Sequence, residues 1–263
     1  MAEVKRCPKC GEVIERTLMF PVMDGSGRRV PRTVSVMCKC DEEKDRKRNA
    51  RFEREERMRR LEDLKRLSLM DERMRNATFR SFQLNQDNEK LFVLAKKYVA
   101  NFDTMKKKGQ GILFYGDVGT GKSYTAAAIA NELLDMMKPV IMTSFIRLLE
   151  ELRKFNDEAS ELYVDRLNEA DLLIVDDLGA ERGTDFALEK VYDVVDSRYR
   201  SGRPMILTTN LEVSFMRQCT DIRYSRIYDR IFEMCYPFRT TGPSWRKRQA
   251  VSRFDEMKKL LDT

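Results

Sequence analysis

Histidine is absent from the 263 residues. Without imidazole there is no histidine-based nucleophilic triad, no His-Glu-x-x-His metalloprotease and no histidine metal ligand. General-base work and metal binding therefore fall to carboxylates, hydroxyls and thiols. Long apolar runs are also missing, so no helix able to span a membrane is expected. Met1 to Cys10 holds no apolar stretch of signal-peptide length, and a cytoplasmic location is the expectation. Cysteine is scarce, at 6 residues, too few for a disulfide scaffold in a chain this long. Four of the six, Cys7, Cys10, Cys38 and Cys40, crowd into the opening segment. In a reducing compartment such crowding reads as metal binding rather than disulfide pairing.

Charge is what the chain has in quantity: 35% of residues are ionisable, with a net charge of +7 and a pI near 9.0. That balance permits an acidic partner such as nucleic acid without demanding one.

Three regions separate by composition. Residues 1–40 carry the clustered cysteines and alternating apolar residues (Val13, Leu18, Phe20; Val30, Val34, Val36) on either side of Asp24-Gly25-Ser26-Gly27. The alternation predicts a β-hairpin. Residues 41–75 lack proline and glycine and are dense in Arg, Lys and Glu. Met58, Leu61, Leu64, Leu67 and Met74 recur at helical spacing, which predicts one long, narrowly amphipathic helix, either a solvated spacer or a docking surface for a partner. Residues 76–263 alternate short apolar segments (Ile112–Tyr115, Val140–Thr143, Leu172–Val175, Met205–Thr208) with helical ones, the pattern of an α/β fold with a parallel sheet between helices. The basic residues of 145–155 and 198–203 serve equally well as DNA contacts or as surface charge.

The chemistry concentrates where the first of these segments ends. Gly116-Asp117-Val118-Gly119-Thr120-Gly121-Lys122-Ser123 fits G-x-x-x-x-G-K-[ST] between a predicted strand and a predicted helix that opens at Tyr124. Glycines let backbone amides close on phosphate oxygens, and the helix N-terminus adds partial positive charge. Lys122 is expected to reach the β- and γ-phosphates of ATP, and Ser123 to ligate Mg2+. Leu172-Leu-Ile-Val-Asp176-Asp177 then brings two carboxylates to the end of a buried strand. Asp176 is expected to hold the Mg2+ shell and Asp177 to orient or deprotonate the attacking water. Thr208-Thr209-Asn210 ends another strand, where Asn210 is a candidate for contact with the γ-phosphate or the water. Cys7-Pro-Lys-Cys10-Gly11 and Cys38-Lys-Cys40 flank the hairpin, and four thiolates suit tetrahedral Zn2+ in a module too small for its own core. Four free thiols or an iron–sulfur cluster are the alternatives.

The loop, the Leu-Ile-Val-Asp-Asp-Leu-Gly segment and the Thr-Thr-Asn strand end together resemble the AAA+ helicase loaders of the DnaC type and the related IstB transposition helpers. The likeness runs from about Ala77 through Arg246. It implies an AAA+ P-loop ATPase in which residues 77–82 lie near the adenine. It also implies an arginine finger given to a neighbouring subunit by Arg230, with Arg226 second, and a γ-phosphate contact from Arg246 within the same subunit. The implied partners are a hexameric replicative helicase, single-stranded DNA and further copies of the chain, with the cysteine-bearing region engaging the helicase. An IstB-like transposition helper and a passive nucleotide-binding adaptor are the rival readings. A small-molecule kinase fits the Asp-Asp and Thr-Thr-Asn strand ends poorly.

Overall fold

The computed structural model describes residues 5–22, 27–68, 70–180 and 184–261. Strand β1 (Glu15–Pro21) pairs antiparallel with β2 (Arg29–Ser35), from Glu15 opposite Ser35 to Pro21 opposite Arg29. This is the hairpin that the alternation predicts; Asp24, Gly25 and Ser26 of its expected turn lie outside the described residues. Helix α1 (Lys39–Leu67) follows, and the chain divides within it into two units, Met1–Arg59 and Arg60–Thr263.

The helix expected to run unbroken to residue 75 stops at Leu67, and a separate short helix, α2 (Glu72–Arg75), begins afterwards. The break has a physical reason. Asp71 caps α2 by accepting from the Met74 amide at 2.9 Å, and the buried Ser68 hydroxyl accepts the amide of Met142, 3.1 Å away. The side chains of Leu64 and Leu67, part of the expected stripe, lie outside the described residues.

The second unit continues, among the described residues, with α3 (Glu89–Ala100), α4 (Phe102–Lys108), β3 (Gly111–Gly116), α5 (Lys122–Asp135), β4 (Val140–Ser144), α6 (Phe145–Leu152), α7 (Asp157–Glu169), β5 (Leu172–Leu178), α8 (Asp185–Arg200), β6 (Met205–Thr209), α9 (Val213–Arg217), α10 (Ile222–Met234), β7 (Cys235–Thr240) and α11 (Trp245–Leu261). The strands form one parallel sheet in the order β4-β5-β6-β3-β7. Side chains alternate across it. Leu113, Ile141, Leu173, Val175 and Leu207 pack toward α6, α7, α8 and α10. Ile112, Phe114, Met142, Ile174 and Ile206 pack toward α3 and α5. Two covered faces explain why the strands read as near-continuous apolar runs. Strand β7 escapes that reading because Cys235-Tyr-Pro-Phe-Arg-Thr carries Pro237; as an edge strand it tolerates the missing amide.

One basic residue in the 198–203 stretch is neither surface charge nor a DNA contact. Arg198 is fully buried, donating to Pro204 O through Nε and Nη2 and to Ala170 O through Nη1, so it ties the loops entering β5 and β6. Burial draws its pKa down to about 9. No helix among the described residues is long and apolar enough to cross a membrane.

The entry to β3 is as tightly constrained. A Cβ added to Gly111 would overlap the backbone carbonyl of Met205 on β6, and backbone on both sides of a central strand cannot yield. Gly111→Ala is expected to cost about 3 kcal/mol or more, measured by chemical denaturation of the full chain.

Candidate nucleotide site and cysteine cluster

Parallel pairing brings the carboxyl ends of β3, β5 and β6 to one edge of the sheet, where open α/β sheets hold ligands. Beyond β3 the chain turns through Asp117–Gly121 into α5, whose first residue is Lys122. The turn is clamped from β7: Thr240 Oγ1 donates to Tyr115 O at 3.1 Å and lies 2.7 Å from the Thr120 hydroxyl. Thr120 also donates to Asp117 O at 2.9 Å. The Trp245 amide at the head of α11 donates to Gly119 O, 2.9 Å away, and a Cβ on Gly119 would overlap the Ser244 hydroxyl. Gly119 is therefore demanded by the close approach of the segment entering α11. Val118 projects into solvent at the turn's tip.

Lys122 is buried, and its Nζ donates to the carbonyls of Gly116 and Asp117, both at 2.7 Å. Burial lowers its pKa, while Asp177, Asp176 and Asp117 pull the other way. Tyr124, in the first turn of α5, lies 2.8 Å from the Ser81 hydroxyl and meets Phe82 edge-on. The structure thus brings the 77–82 segment alongside the start of α5. Ser81 is further knitted to Thr78 by a 2.7 Å hydroxyl contact.

On β5, Asp176 is half-buried and its pKa is raised, chiefly by burial; the Thr208 hydroxyl, which bonds to it, and the nearby Ser123 hydroxyl work against that rise. Ser123 and Asp176, the two residues expected to share Mg2+, therefore lie near each other at the sheet edge. Asp177 follows in the left-handed conformation, φ 58°, where the register with β6 shifts between Val175 and Leu178. Its amide donates to Thr208 Oγ1 at 3.0 Å, and that same hydroxyl donates to Asp176 Oδ1. Thr208 was not singled out by sequence reasoning; a threonine in a buried apolar strand was the available signal. Thr209 Oγ1 donates to Leu178 O at 2.7 Å and accepts from Leu211 N, closing the bulge. Asn210 is exposed just beyond β6, between the strands that carry the Gly116 turn and Asp176.

The arginines separate. Arg246 is exposed in the first turn of α11, near enough for its charge to depress Lys122. Arg230 on α10 is held within its own chain: Nε lies 2.6 Å from Asp196 Oδ1 in an ion pair off the N–H direction, and Nη2 donates to Tyr192 OH at 3.0 Å. Its guanidinium also lies over the Tyr192 ring at 4.9 Å. Arg226, one turn earlier, is exposed. Within the chain, then, the Arg230 charge is paired with a nearly buried carboxylate, while that of Arg226 stands at the surface.

A family model for IstB-like ATP-binding proteins matches residues 37–252. The chain belongs to this family. Among curated relatives, the phage-like element PBSX protein XkdC of Bacillus subtilis is 34% identical over 152 residues, covering 55% of each chain. The replicative helicase loader DnaC of Escherichia coli K12 is 27% identical over 188 residues, 70% of this chain and 74% of DnaC. A crystal structure of DnaI superposes with a TM-score of 0.57 at 26% identity, covering 66% of this chain and 96% of that one. The α/β core described above is the AAA+ fold.

The cysteine cluster of this IstB-like chain straddles the start of the family match: Cys7 and Cys10 precede it, and Cys38 and Cys40 fall just inside it. One ligand sulfur from each of Cys7, Cys10, Cys38 and Cys40 lies within 4.8 Å of the others. A tetrahedral ion with Zn–S bonds of about 2.3 Å separates its sulfurs by about 3.8 Å, so the set fits with slight contraction. The turn at Gly11 aims the amides of Cys10 and Lys9 at the Cys7 sulfur, and these draw its pKa down to about 7. Among the described residues of Met1–Arg59, Cys7 and Cys38 are the buried ones. The described residues of the unit form no apolar core; their centre is sulfur.

Two expectations follow from these environments. Asp176 has a raised folded-state pKa, so its contribution to stability is present below the unfolded value and is lost as pH rises through the folded one. Asp176→Asn should therefore raise the melting temperature of the nucleotide-free chain at neutral pH, the two curves converging below about pH 4. Metal analysis should return about one zinc per chain, and Cys38→Ser should lose it. Limited proteolysis should then cut the hairpin while the Arg60–Thr263 transition stays unchanged.

Proposed function

We propose that this chain is an ATPase that loads a replicative helicase onto single-stranded DNA. The observation that carries the ATPase reading is the convergence of Lys122, Ser123, Asp176 and Asp177 at one sheet edge beside a helix N-terminus. ATP phosphates would sit on the amides of the Gly116–Ser123 turn, and the Lys122 ammonium would exchange the Gly116 and Asp117 carbonyls for phosphate oxygens. The adjacent Ser123 hydroxyl and Asp176 carboxylate form the hard oxygen pair that suits Mg2+. When bound, Mg2+ neutralises charge on the β- and γ-phosphates. Asp177 would orient the attacking water, or take its proton, with Asn210 assisting at the neighbouring strand end. Arg246 would contact the γ-phosphate within the subunit. Because Arg230 is engaged with Asp196, the finger supplied to a neighbouring copy passes in this reading to the exposed Arg226.

Helicase loading is supported by relatives named as helicase loaders, DnaC among them, and by the cysteine-centred hairpin. The hairpin, a zinc module, and the first part of α1 would engage the helicase, with residues 76–263 as the motor. Residue 60 is the better cut for a test, since Ser68 and Met70 are built into the second unit.

Lys122→Ala should abolish ATP turnover. Arg226→Ala should lower kcat by about 10³-fold with the melting temperature unchanged, whereas Arg230→Ala should lower the melting temperature, since among the described residues Asp196 then keeps only Arg200. Co-purification in ATP should capture the host's replicative helicase with the full chain and not with a fragment starting at residue 60. Capture of a transposase instead would make the chain a transposition helper.

A further inference from the structure

Thr208 is fully buried in a strand whose preceding residues, Met205, Ile206 and Leu207, are all apolar. Valine would fill the same volume there without a hydroxyl to satisfy, so the threonine asks for a reason. Its hydroxyl has one proton and two lone pairs. The proton goes to Asp176 Oδ1, and one lone pair accepts the Asp177 amide at 3.0 Å. Both partners belong to the neighbouring strand, thirty-one and thirty-two residues away.

Each bond answers a local demand. The β5–β6 ladder shifts register between Val175 and Leu178, which takes the Asp177 amide out of regular pairing. Asp177 also sits at φ 58°, a conformation that a non-glycine residue keeps only where its surroundings hold it. Asp176 has two carboxylate oxygens, and committing one to a buried donor fixes the plane of the other. We propose that Thr208 is a positioning residue that orients the Asp176 carboxylate for its cation and holds Asp177 in its left-handed turn. One hydroxyl thereby sets the geometry of both acids, and the strand that ends in Asn210 is coupled to them. What the acids then do rests on the ATPase reading; the positioning does not.

The test compares full-length Thr208→Val and Thr208→Ser with the wild type, titrating Mg2+ into a fluorescent ATP analogue bound to each. For Thr208→Val, affinity measured in EDTA should stay within about twofold while the Mg2+ concentration for half-maximal tightening rises about 10- to 100-fold. Thr208→Ser keeps the hydroxyl and should restore the wild-type value. If the valine chain does not fold, Thr208→Cys, similar in shape with a weak donor, carries the same comparison. A valine chain that melts earlier yet keeps the wild-type Mg2+ dependence overturns the proposal and leaves Thr208 a packing residue. A wild type that tightens with Mg2+ but never hydrolyses ATP sinks the ATPase reading alone, and the Mg2+ titration still decides Thr208.

Discussion

Parallel register is the constraint on which the rest of this structure depends. Tyr115 pairs with Thr209, and Val175 with Leu207, so three chain segments far apart in sequence end at one level. Because all three strands run the same way, that level is their carboxyl edge, where the Gly116 turn, Asp176 and Thr208 meet. An antiparallel partner would have carried the acids to the opposite edge. The pairing is maintained by apolar side chains alternating between two helix-covered faces, and by the buried Arg198 fastening the loops at the other edge.

The site works against the stability of its own fold. Burial disfavours the charge on Lys122 and the charge on Asp176, and neither forms a direct ion pair with the other among the described contacts. Lys122 takes backbone carbonyls, and Asp176 takes the Thr208 hydroxyl. Such partners hold a charged group in place without neutralising it. A polyanion and a divalent cation entering together would relieve both groups at once, the usual exchange of stability for function at a binding site.

The Met1–Arg59 unit solves a different problem. A two-stranded hairpin is marginal alone, and this one leaves Leu18, Met19 and Phe20 exposed. In the proposed zinc module, four thiolates around one ion would stand in for an apolar core with a few strong bonds. The exposed hairpin residues would then be available to a partner.

Much of this was readable from contiguous residues. The Gly116–Ser123 turn, the apolar strand ending in Asp176 and Asp177, the hairpin and the paired cysteines each place their whole chemical logic within a few positions, so local pattern suffices. The remainder was not, for one reason: its meaning lies in partners distant in sequence. Thr208 matters because Asp176 and Asp177 are beside it, and Pro237 is tolerated because β7 has a neighbour on one side only. Arg230 looked available until Asp196 and Tyr192 occupied it, and the predicted helix to residue 75 was cut where Ser68 meets the Met142 amide. The sequence by itself determined the phosphate-binding turn, the acids and the thiols, since backbone and side-chain chemistry there act at short range. Only the tertiary structure decided which hydroxyl aligns the acids and that Arg230 pairs with Asp196, because those choices are settled by packing between strands and helices that the chain order keeps apart.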